Sequence, residues 1–221
     1  MAIKLQVESL TDQAYDILKG KIINRELPPG TRLVDSQLAE ECGISRTPLR
    51  DAIRKLVEEG LVTACSKRGY CVFKPTKKDI EEIFEIRQML DEMAARKLVR
   101  EILPEDPEAY RKCENLCAEL RAHAEAGEEK EKFIKSDEDF HDQMIMMIDN
   151  ARLHAIYSDI RNQTQTFRRV TSGDKSRIAK ANNQHEKICK GLLNLDLEET
   201  LAAITEHNRL SMNDALADFK E

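Results

Sequence analysis

The spacing of apolar and polar residues in the first third of the chain predicts three helices. In the first, Leu10, Ala14, Leu18 and Ile22 recur at helical spacing, and "LPPG" (27–30) then stops the helix. The predicted helices are 9–24, 35–42 with Asp35 or Ser36 as N-cap, and 45–59 with Ser45 as N-cap.

The apolar pattern changes its period at residues 61–73. Two short β-prone runs there flank "SKRG", which predicts a hairpin with a basic tip. Two short helices joined by "CGIS" and followed by a basic hairpin describe a winged helix-turn-helix. Pro75 marks a boundary, so we predict a DNA-binding domain over residues 1–75.

From Thr76 onwards the pattern is helical. Thr76 and Asp79 have the spacing of a capping box, and Pro, Gly and Asn residues divide the rest into segments. The six predicted helices are 77–103, 106–126, 130–149, 151–172, 175–192 and 195–219. We therefore predict a mainly α fold, with an N-terminal winged helix-turn-helix carrying a small β-hairpin wing and a C-terminal all-α six-helix bundle over residues 76–221.

Charge is distributed unevenly along a chain whose formal net charge is −6. Residues 44–74 hold seven basic and three acidic side chains, a net of +4, which is typical of a dedicated nucleic-acid contact surface. No apolar run approaches the ~20 residues of a membrane span, and the N-terminus lacks a signal-peptide core. The six cysteines fit a reducing compartment. We expect a cytoplasmic protein with no membrane partner.

The third predicted helix carries a basic face. Arg46, Arg50 and Arg54 recur at four-residue spacing, and Thr47 lies beside them. Arginine and hydroxyl side chains at the start of such a helix suit base edges and phosphates in a major groove.

These segments resemble a known family. "LPPGTRL…LAEECGISRTPLRDAIRKLVEEGLV", followed by "RGYCVF", looks like the DNA-binding domain of GntR-family bacterial transcription regulators over about residues 8–74. The resemblance implies a palindromic double-stranded DNA operator bound by a homodimer. By the resemblance, the operator-contacting residues are Arg46, Thr47 and Arg50, with Arg32 and Ser45 on the DNA backbone and Lys67, Arg68 and Gly69 in the wing.

Polar residues interrupt the apolar stripes of four C-terminal helices. Asp137 and His141, four residues apart, share the face of Phe140, Met144, Ile145 and Ile148, and the other interruptions are Arg87, His185 and His207. Three imidazoles and a carboxylate form a ligand set suited to Zn²⁺, Ni²⁺, Co²⁺, Fe²⁺ or Mn²⁺. From the residues alone, Asp137 pairing with His141 or with Arg87 explains the pattern equally well.

The C-terminal region resembles the FCD effector domain of the FadR subfamily over about residues 77–219. The similarity rests on "EIRQMLDEMAARKL", on "DEDFHDQMI", and on two histidines 22 residues apart. By the resemblance, the metal ligands are Asp137, His141, His185 and His207, and Arg87 binds a small carboxylate effector beside a Zn, Ni or Mn ion. Six helices indicate the VanR-like branch.

Together these features predict a DNA-binding transcriptional regulator, a repressor, that is controlled by an effector at a metal site and is not an enzyme. Two alternatives stay open. A metal-dependent hydrolase is one, although "HEKIC" has Cys189 where a zinc-protease helix needs its second histidine. A regulator with a purely structural metal is the other.

Overall fold

The computed structural model describes residues 9–65, 69–125, 130–171, 175–217 and 219. The chain divides into two compact units, residues 1–75 and 76–221. The described residues fold as a winged helix-turn-helix followed by an all-helical unit, which confirms the predicted fold class.

The first unit consists of three helices and a three-stranded antiparallel sheet in the order β1-β3-β2. The helices are α1 (Leu10–Ile23), α2 (Asp35–Glu41) and α3 (Arg46–Glu58), and the strands are β1 (Arg32–Leu33), β2 (Val62–Ala64) and β3 (Tyr70–Val72). The apolar faces of the three helices pack with Leu33, Val62 and Val72 in one core. The amphipathic pattern of α1 and α3 is thus what holds the sheet in place.

Two details of this unit differ from the prediction. Strand β1 was not predicted, because two residues are too few to show a period; it forms by pairing Arg32 with Cys71 of β3. The N-cap of α2 is Val34, so the helix begins at Asp35 and neither Asp35 nor Ser36 caps it. The hydrogen bonds of this N-terminus go to the Val34 carbonyl, which accepts from Gln37 and Leu38.

The second unit consists of six α-helices in its described residues. They are α4 (Lys77–Lys97), α5 (Pro107–Glu125), α6 (Lys130–Met146), α7 (Ala151–Thr171), α8 (Lys175–Leu193) and α9 (Leu197–Ala217). A π-helical turn, Leu98–Ile102, continues α4. The predicted capping box is present, since the Thr76 and Asp79 side chains each bond the other residue's backbone N–H.

Helices α8 and α9 approach each other closely at Gly191. A Cβ atom built on Gly191 would lie 2.5 Å from Thr200 Oγ1 and 2.8 Å from the Thr200 backbone nitrogen. Only glycine leaves room for a crossing this close. The crossing fixes the distance between the two helices that carry His185 and His207.

One covalent link departs from the expectation of reduced cysteines. Cys65, which follows β2, and Cys71, in β3, form a disulfide with their Cα atoms 5.8 Å apart. Cys42, Cys113, Cys117 and Cys189 are free. Among the helices of the described part of the chain, none is long and apolar enough to cross a membrane.

Candidate metal centre and nucleic-acid interface

Four polar side chains from three helices converge inside the second unit. Asp137 and His141 come from α6, His185 from α8 and His207 from α9, and each offers one ligand atom within 4.8 Å of all the others. His141 Nε2 lies 3.1 Å from His207 Nε2, and His185 Nε2 lies 3.1 Å from Asp137 Oδ1. The structure therefore brings together all four residues that the sequence singled out as ligands.

These side chains are withdrawn from solvent. Asp137 has no exposed surface, and the three histidines are 1–2% exposed. Burial and the neighbouring Arg87 charge lower the pKa of His141 to about 4. Burial, followed by the proximity of His185 and His141, holds the pKa of His207 well below its ordinary value. Both imidazoles are therefore neutral at pH 7, which is the form that binds a metal.

A divalent cation fits this donor set. Two ligand atoms that each lie about 2.0–2.1 Å from one cation are about 3 Å apart when the angle between their bonds is near 90°. The two observed separations of 3.1 Å, His141 to His207 and His185 to Asp137, match this distance. His185 Nε2 is buried without a hydrogen bond to the described protein atoms although it lies 3.1 Å from Asp137 Oδ1, so this nitrogen is available as a ligand. A buried cation also offsets the cost of burying a carboxylate.

A fifth residue, Asp91 of α4, lies on the Nδ1 side of His141. Its Oδ2 atom lies 3.5 Å from His141 Nδ1 and 3.5 Å from Arg87 Nε, and it accepts a hydrogen bond of 3.1 Å from Asn208 Nδ2. Burial alone would raise the pKa of Asp91, but these partners outweigh it and hold the pKa below its usual value. A carboxylate on the Nδ1 side favours the tautomer in which His141 Nε2 faces the cluster.

Sequence reasoning missed Asp91, and it left two pairings of Asp137 open. Arg87 in fact lies against Asp91, and Asp137 lies against His185, a pairing that was not considered. The signal was present, because Asp91 follows Arg87 by four residues on the same buried face of α4.

A small cleft opens beside His141. It has a volume of about 20 Å³ and is lined by Arg87, Tyr157, Arg161, Thr164 and Gln165, among others. Arg87 is only 3% exposed, and its Nη1 atom has no hydrogen-bond partner among the described protein atoms. A buried guanidinium N–H in this state is suited to an anionic oxygen. The polar residues of α7 in this wall were not predicted from sequence.

The first unit presents the predicted basic face to solvent. Ser45, Arg46, Thr47 and Arg50 are all exposed, and the Ser45 hydroxyl makes no capping bond although the residue occupies the N-cap. Arg50 Nε lies 2.6 Å from Asp35 Oδ2, a pairing that the sequence did not predict.

The wing completes a concave surface next to this face. Arg32, Arg50, Arg54, Cys65 and Gly69 line a depression of about 720 Å³. The Arg32 side chain crosses Gly69, since a Cβ atom there would lie 3.6 Å from Arg32 Nε. Lys67 and Arg68, the predicted wing contacts, lie outside the described residues.

Comparison with known proteins shows which family the chain belongs to. The family model "Bacterial regulatory proteins, gntR family" matches residues 10–72, and the FCD domain model matches residues 82–210, more than half of the chain. The chain belongs to the GntR family and carries an FCD domain. This confirms the family predicted from the sequence, and with it a DNA-binding transcriptional regulator.

Two curated relatives of this GntR-family chain span most of its length. It is 28% identical over 176 residues to the uncharacterized HTH-type regulator YdhC of Bacillus subtilis, an alignment covering 80% of this chain and 77% of YdhC. It is 27% identical over 205 residues to the transcriptional repressor RspR of Escherichia coli, covering 90% of this chain and 86% of RspR. The relatives are transcriptional regulators, which confirms that the chain is not an enzyme and rejects the hydrolase alternative.

A solved structure shares the fold. Escherichia coli McbR/YncC superposes with a TM-score of 0.77 at 21% sequence identity, over 97% of this chain and all of that one. At this identity the similarity concerns the fold alone.

Proposed function

We propose that the protein is a ligand-responsive repressor of the GntR family. Its FCD domain holds a divalent transition metal, Zn²⁺, Ni²⁺ or Mn²⁺, through Asp137, His141, His185 and His207, and takes a small carboxylate effector beside Arg87. Its winged helix-turn-helix binds a palindromic operator, and the active species is a cytoplasmic homodimer. The VanR-like assignment stays a prediction.

The observation that carries the metal site is the convergence of four buried ligand atoms within 4.8 Å. A pair of satisfied core histidines would not need a carboxylate and a third imidazole at the same point. A bound cation there would supply a Lewis acid for a carboxylate oxygen. Asp91 orients His141 toward it, in the way that carboxylates behind zinc-bound histidines do.

Arg87 supports an anionic effector. Its Nη1 atom, which has no hydrogen-bond partner in the described part of the chain, and His141 border the same cleft, so a carboxylate there would pair with the guanidinium beside a proposed metal ligand. A volume of about 20 Å³ holds little more than one water molecule. An effector must therefore displace part of the cleft wall.

Helix α7 is the wall that would move. Arg161 Nε lies 2.7 Å from Asp142 Oδ2, and Gln165 Nε2 donates to Glu138 Oε2 at 3.0 Å, so polar contacts hold α7 against α6. An effector that binds Arg87 competes with this closed arrangement. Such a shift needs a coupling of only about 1–3 kcal/mol to change operator affinity about 5–150-fold.

The DNA-binding part of the proposal is supported by the exposed face of α3. Arg46 and Thr47 lie free of the core at the helix N-terminus, and Arg50 lies on the same face. Because Arg50 is held by Asp35 in the free protein, it must exchange that carboxylate for a base edge or phosphate when DNA binds. The exchange leaves Asp35 near the DNA, which disfavours non-cognate contacts.

Metal content and ligand response test the proposal together. Elemental analysis and native mass spectrometry of the purified full chain are expected to show one divalent transition metal per chain. The double variant His185→Ala/His207→Ala should lose it, whereas His123→Ala, an exposed histidine of α5, should retain it. Unchanged metal content in the double variant would refute the site.

A panel of small carboxylates then tests the effector. Acetate, lactate, malonate, succinate and citrate are added to metal-loaded protein, and the unfolding temperature is measured for the natural chain and for Arg87→Gln. Stabilisation by at least one acid in the natural chain only is the expected result. If no acid in an extended panel raises the unfolding temperature, the site holds a purely structural metal.

A further inference from the structure

The disulfide between Cys65 and Cys71 lies at the base of the wing. Val62 pairs with Val72 and Thr63 with Cys71, and the Cys65 N–H donates to the Gly69 carbonyl at 2.9 Å, so the two cysteines are diagonal neighbours on adjacent strands. Diagonal neighbours on one face of an antiparallel pair are close enough for side chains to meet. The disulfide is therefore compatible with the hydrogen-bonded pairing of β2 and β3.

Both cysteines lie on the outer face of the hairpin. Val62 and Val72 alternate with them and point into the core, whereas Thr63 is exposed and Cys65 and Cys71 are partly exposed. Small thiols and peroxides in solution can therefore reach the sulfur atoms. The free cysteines Cys113, Cys117 and Cys189 are buried and do not share this access.

The link is also part of the candidate DNA-binding surface. Cys65 lines the same depression as Arg32, Arg50 and Arg54. Cys71 is paired with Arg32 across the β1–β3 ladder, which puts the Arg32 side chain on the face of the disulfide.

We propose that Cys65 and Cys71 are a reversible oxidation site that takes hydroperoxides as oxidants and thiols as reductants, and whose disulfide form binds duplex DNA more tightly. The cross-link ties the end of β2 to β3 beside the depression that Arg32, Arg50 and Arg54 line. Less conformational entropy is then lost when this surface meets a phosphate. The effect on DNA rests on the proposed operator binding, whereas formation of the cross-link does not.

The oxidation of the two thiols by a peroxide balances in atoms and electrons without a cofactor. One thiolate attacks an oxygen of hydrogen peroxide, the O–O bond breaks, and a sulfenic acid and hydroxide result. The second thiolate attacks the sulfenic sulfur, the S–S bond forms, and the sulfenic oxygen leaves as water once protonated. Two thiols and one peroxide thus give one disulfide and two waters, and two small thiols reverse the step by exchange, becoming a disulfide themselves. In a reducing compartment such a link is transient, as a sensor requires.

Cross-link formation is tested first, by mass. Full-length protein is reduced with dithiothreitol, freed of reductant, treated with stoichiometric hydrogen peroxide, alkylated and digested without reductant. The expected product is a cross-linked peptide that joins Cys65 to Cys71, and before alkylation the intact protein should be about 2 Da lighter than its reduced form, the mass of the two hydrogens lost. Cys65→Ser and Cys71→Ser should not show this loss, and Cys42→Ser, which changes a partly exposed free cysteine, should show it. If both thiols of the natural chain remain alkylatable after peroxide, the proposal is overturned.

DNA affinity is tested second, with a duplex selected from a random-sequence library by the reduced full chain. The oxidised natural chain should bind this duplex at least about threefold more tightly than the reduced chain, and dithiothreitol should reverse the gain. Cys65→Ser, checked for folding by circular dichroism, should bind like the reduced chain in both conditions. Equal affinity of the two forms overturns the DNA part of the proposal. If neither form selects or binds any duplex, the proposed operator function fails, while the mass measurement still decides the cross-link.

Discussion

Replacing Gly191 by alanine should both destabilise the second unit and weaken metal binding at the proposed site. The new Cβ would lie 2.8 Å from the Thr200 nitrogen and 2.9 Å from Thr200 Cα, whereas ordinary contacts of this kind begin near 3.4 Å. Helices α8 and α9 must therefore separate by about 0.6 Å, the difference between 3.4 and 2.8 Å. Overpacking of this kind costs about 1–3 kcal/mol, and alanine's better helix propensity returns up to about 1 kcal/mol.

Taking the middle of the overpacking range, about 2 kcal/mol, less a return of about 1 kcal/mol, the net loss in the free energy of unfolding is about 1 kcal/mol. A loss of this size lowers the unfolding temperature by about 2–4 °C in a unit of this size. The separation also moves His207 relative to His185, so metal affinity should fall about tenfold. Thermal unfolding followed by circular dichroism measures the first effect, and competition with a chromophoric chelator measures the second.

Two control variants distinguish backbone crowding from other effects. Gly20→Ala in α1 adds the same methyl group where no atom lies within 4 Å, so it should stabilise its own unit slightly. Adding Thr200→Ala to Gly191→Ala removes the Oγ1 contact but keeps both backbone contacts, so it should not restore stability. A Gly191→Ala protein that unfolds at the natural temperature and binds metal equally well would show that the two helices are not this close.

The remaining predictions concern the role of Asp91 at the proposed metal site, the proposed DNA contact of Arg50, and the effect of pH on stability. Asp91→Asn should weaken metal binding about 10–100-fold, because an amide no longer favours the His141 tautomer whose Nε2 binds the metal. The neighbouring change Glu92→Gln should leave metal affinity unchanged. Equal affinities of the two variants in chelator competition would argue against the role of Asp91. Arg50→Ala should cost about 1–3 kcal/mol of binding to a selected duplex by fluorescence anisotropy, while Arg111→Ala, an exposed change in α5, should be neutral. In metal-free protein, the pKa of His141 is about 4 in the folded state and 6.5 in the unfolded state. The stabilisation that comes from keeping this imidazole neutral is therefore fully present above pH 6.5. As pH falls from 6.5 to 4 the unfolded state binds a proton that the folded state does not, and urea titrations should show a loss of about 3 kcal/mol. A flat profile over this range would contradict a buried, neutral His141.

Local pattern was sufficient for most of the helices and for the choice of candidate residues. The spacing of apolar residues placed α3 within one residue at each end, since 45–59 was predicted and Arg46–Glu58 is observed. The polar interruptions at Asp137, His141, His185 and His207 identified the buried cluster because a helix face is set by residues three and four apart. These are properties that a single segment determines by itself.

The sequence by itself therefore determined the helices and the hairpin strands, the division at Pro75, the basic face of α3 and the inward-facing polar residues. Only the tertiary structure decided that Asp137 lies against His185, that Arg87 lies against Asp91, that Arg50 is held by Asp35, and that Cys65 meets Cys71. The physical reason is that periodicity fixes which side of a helix or strand a residue occupies, but not which other element that side packs against. That choice depends on how closely elements distant in sequence can approach, as at Gly191, and on strand pairings too short to carry a period, as at Arg32.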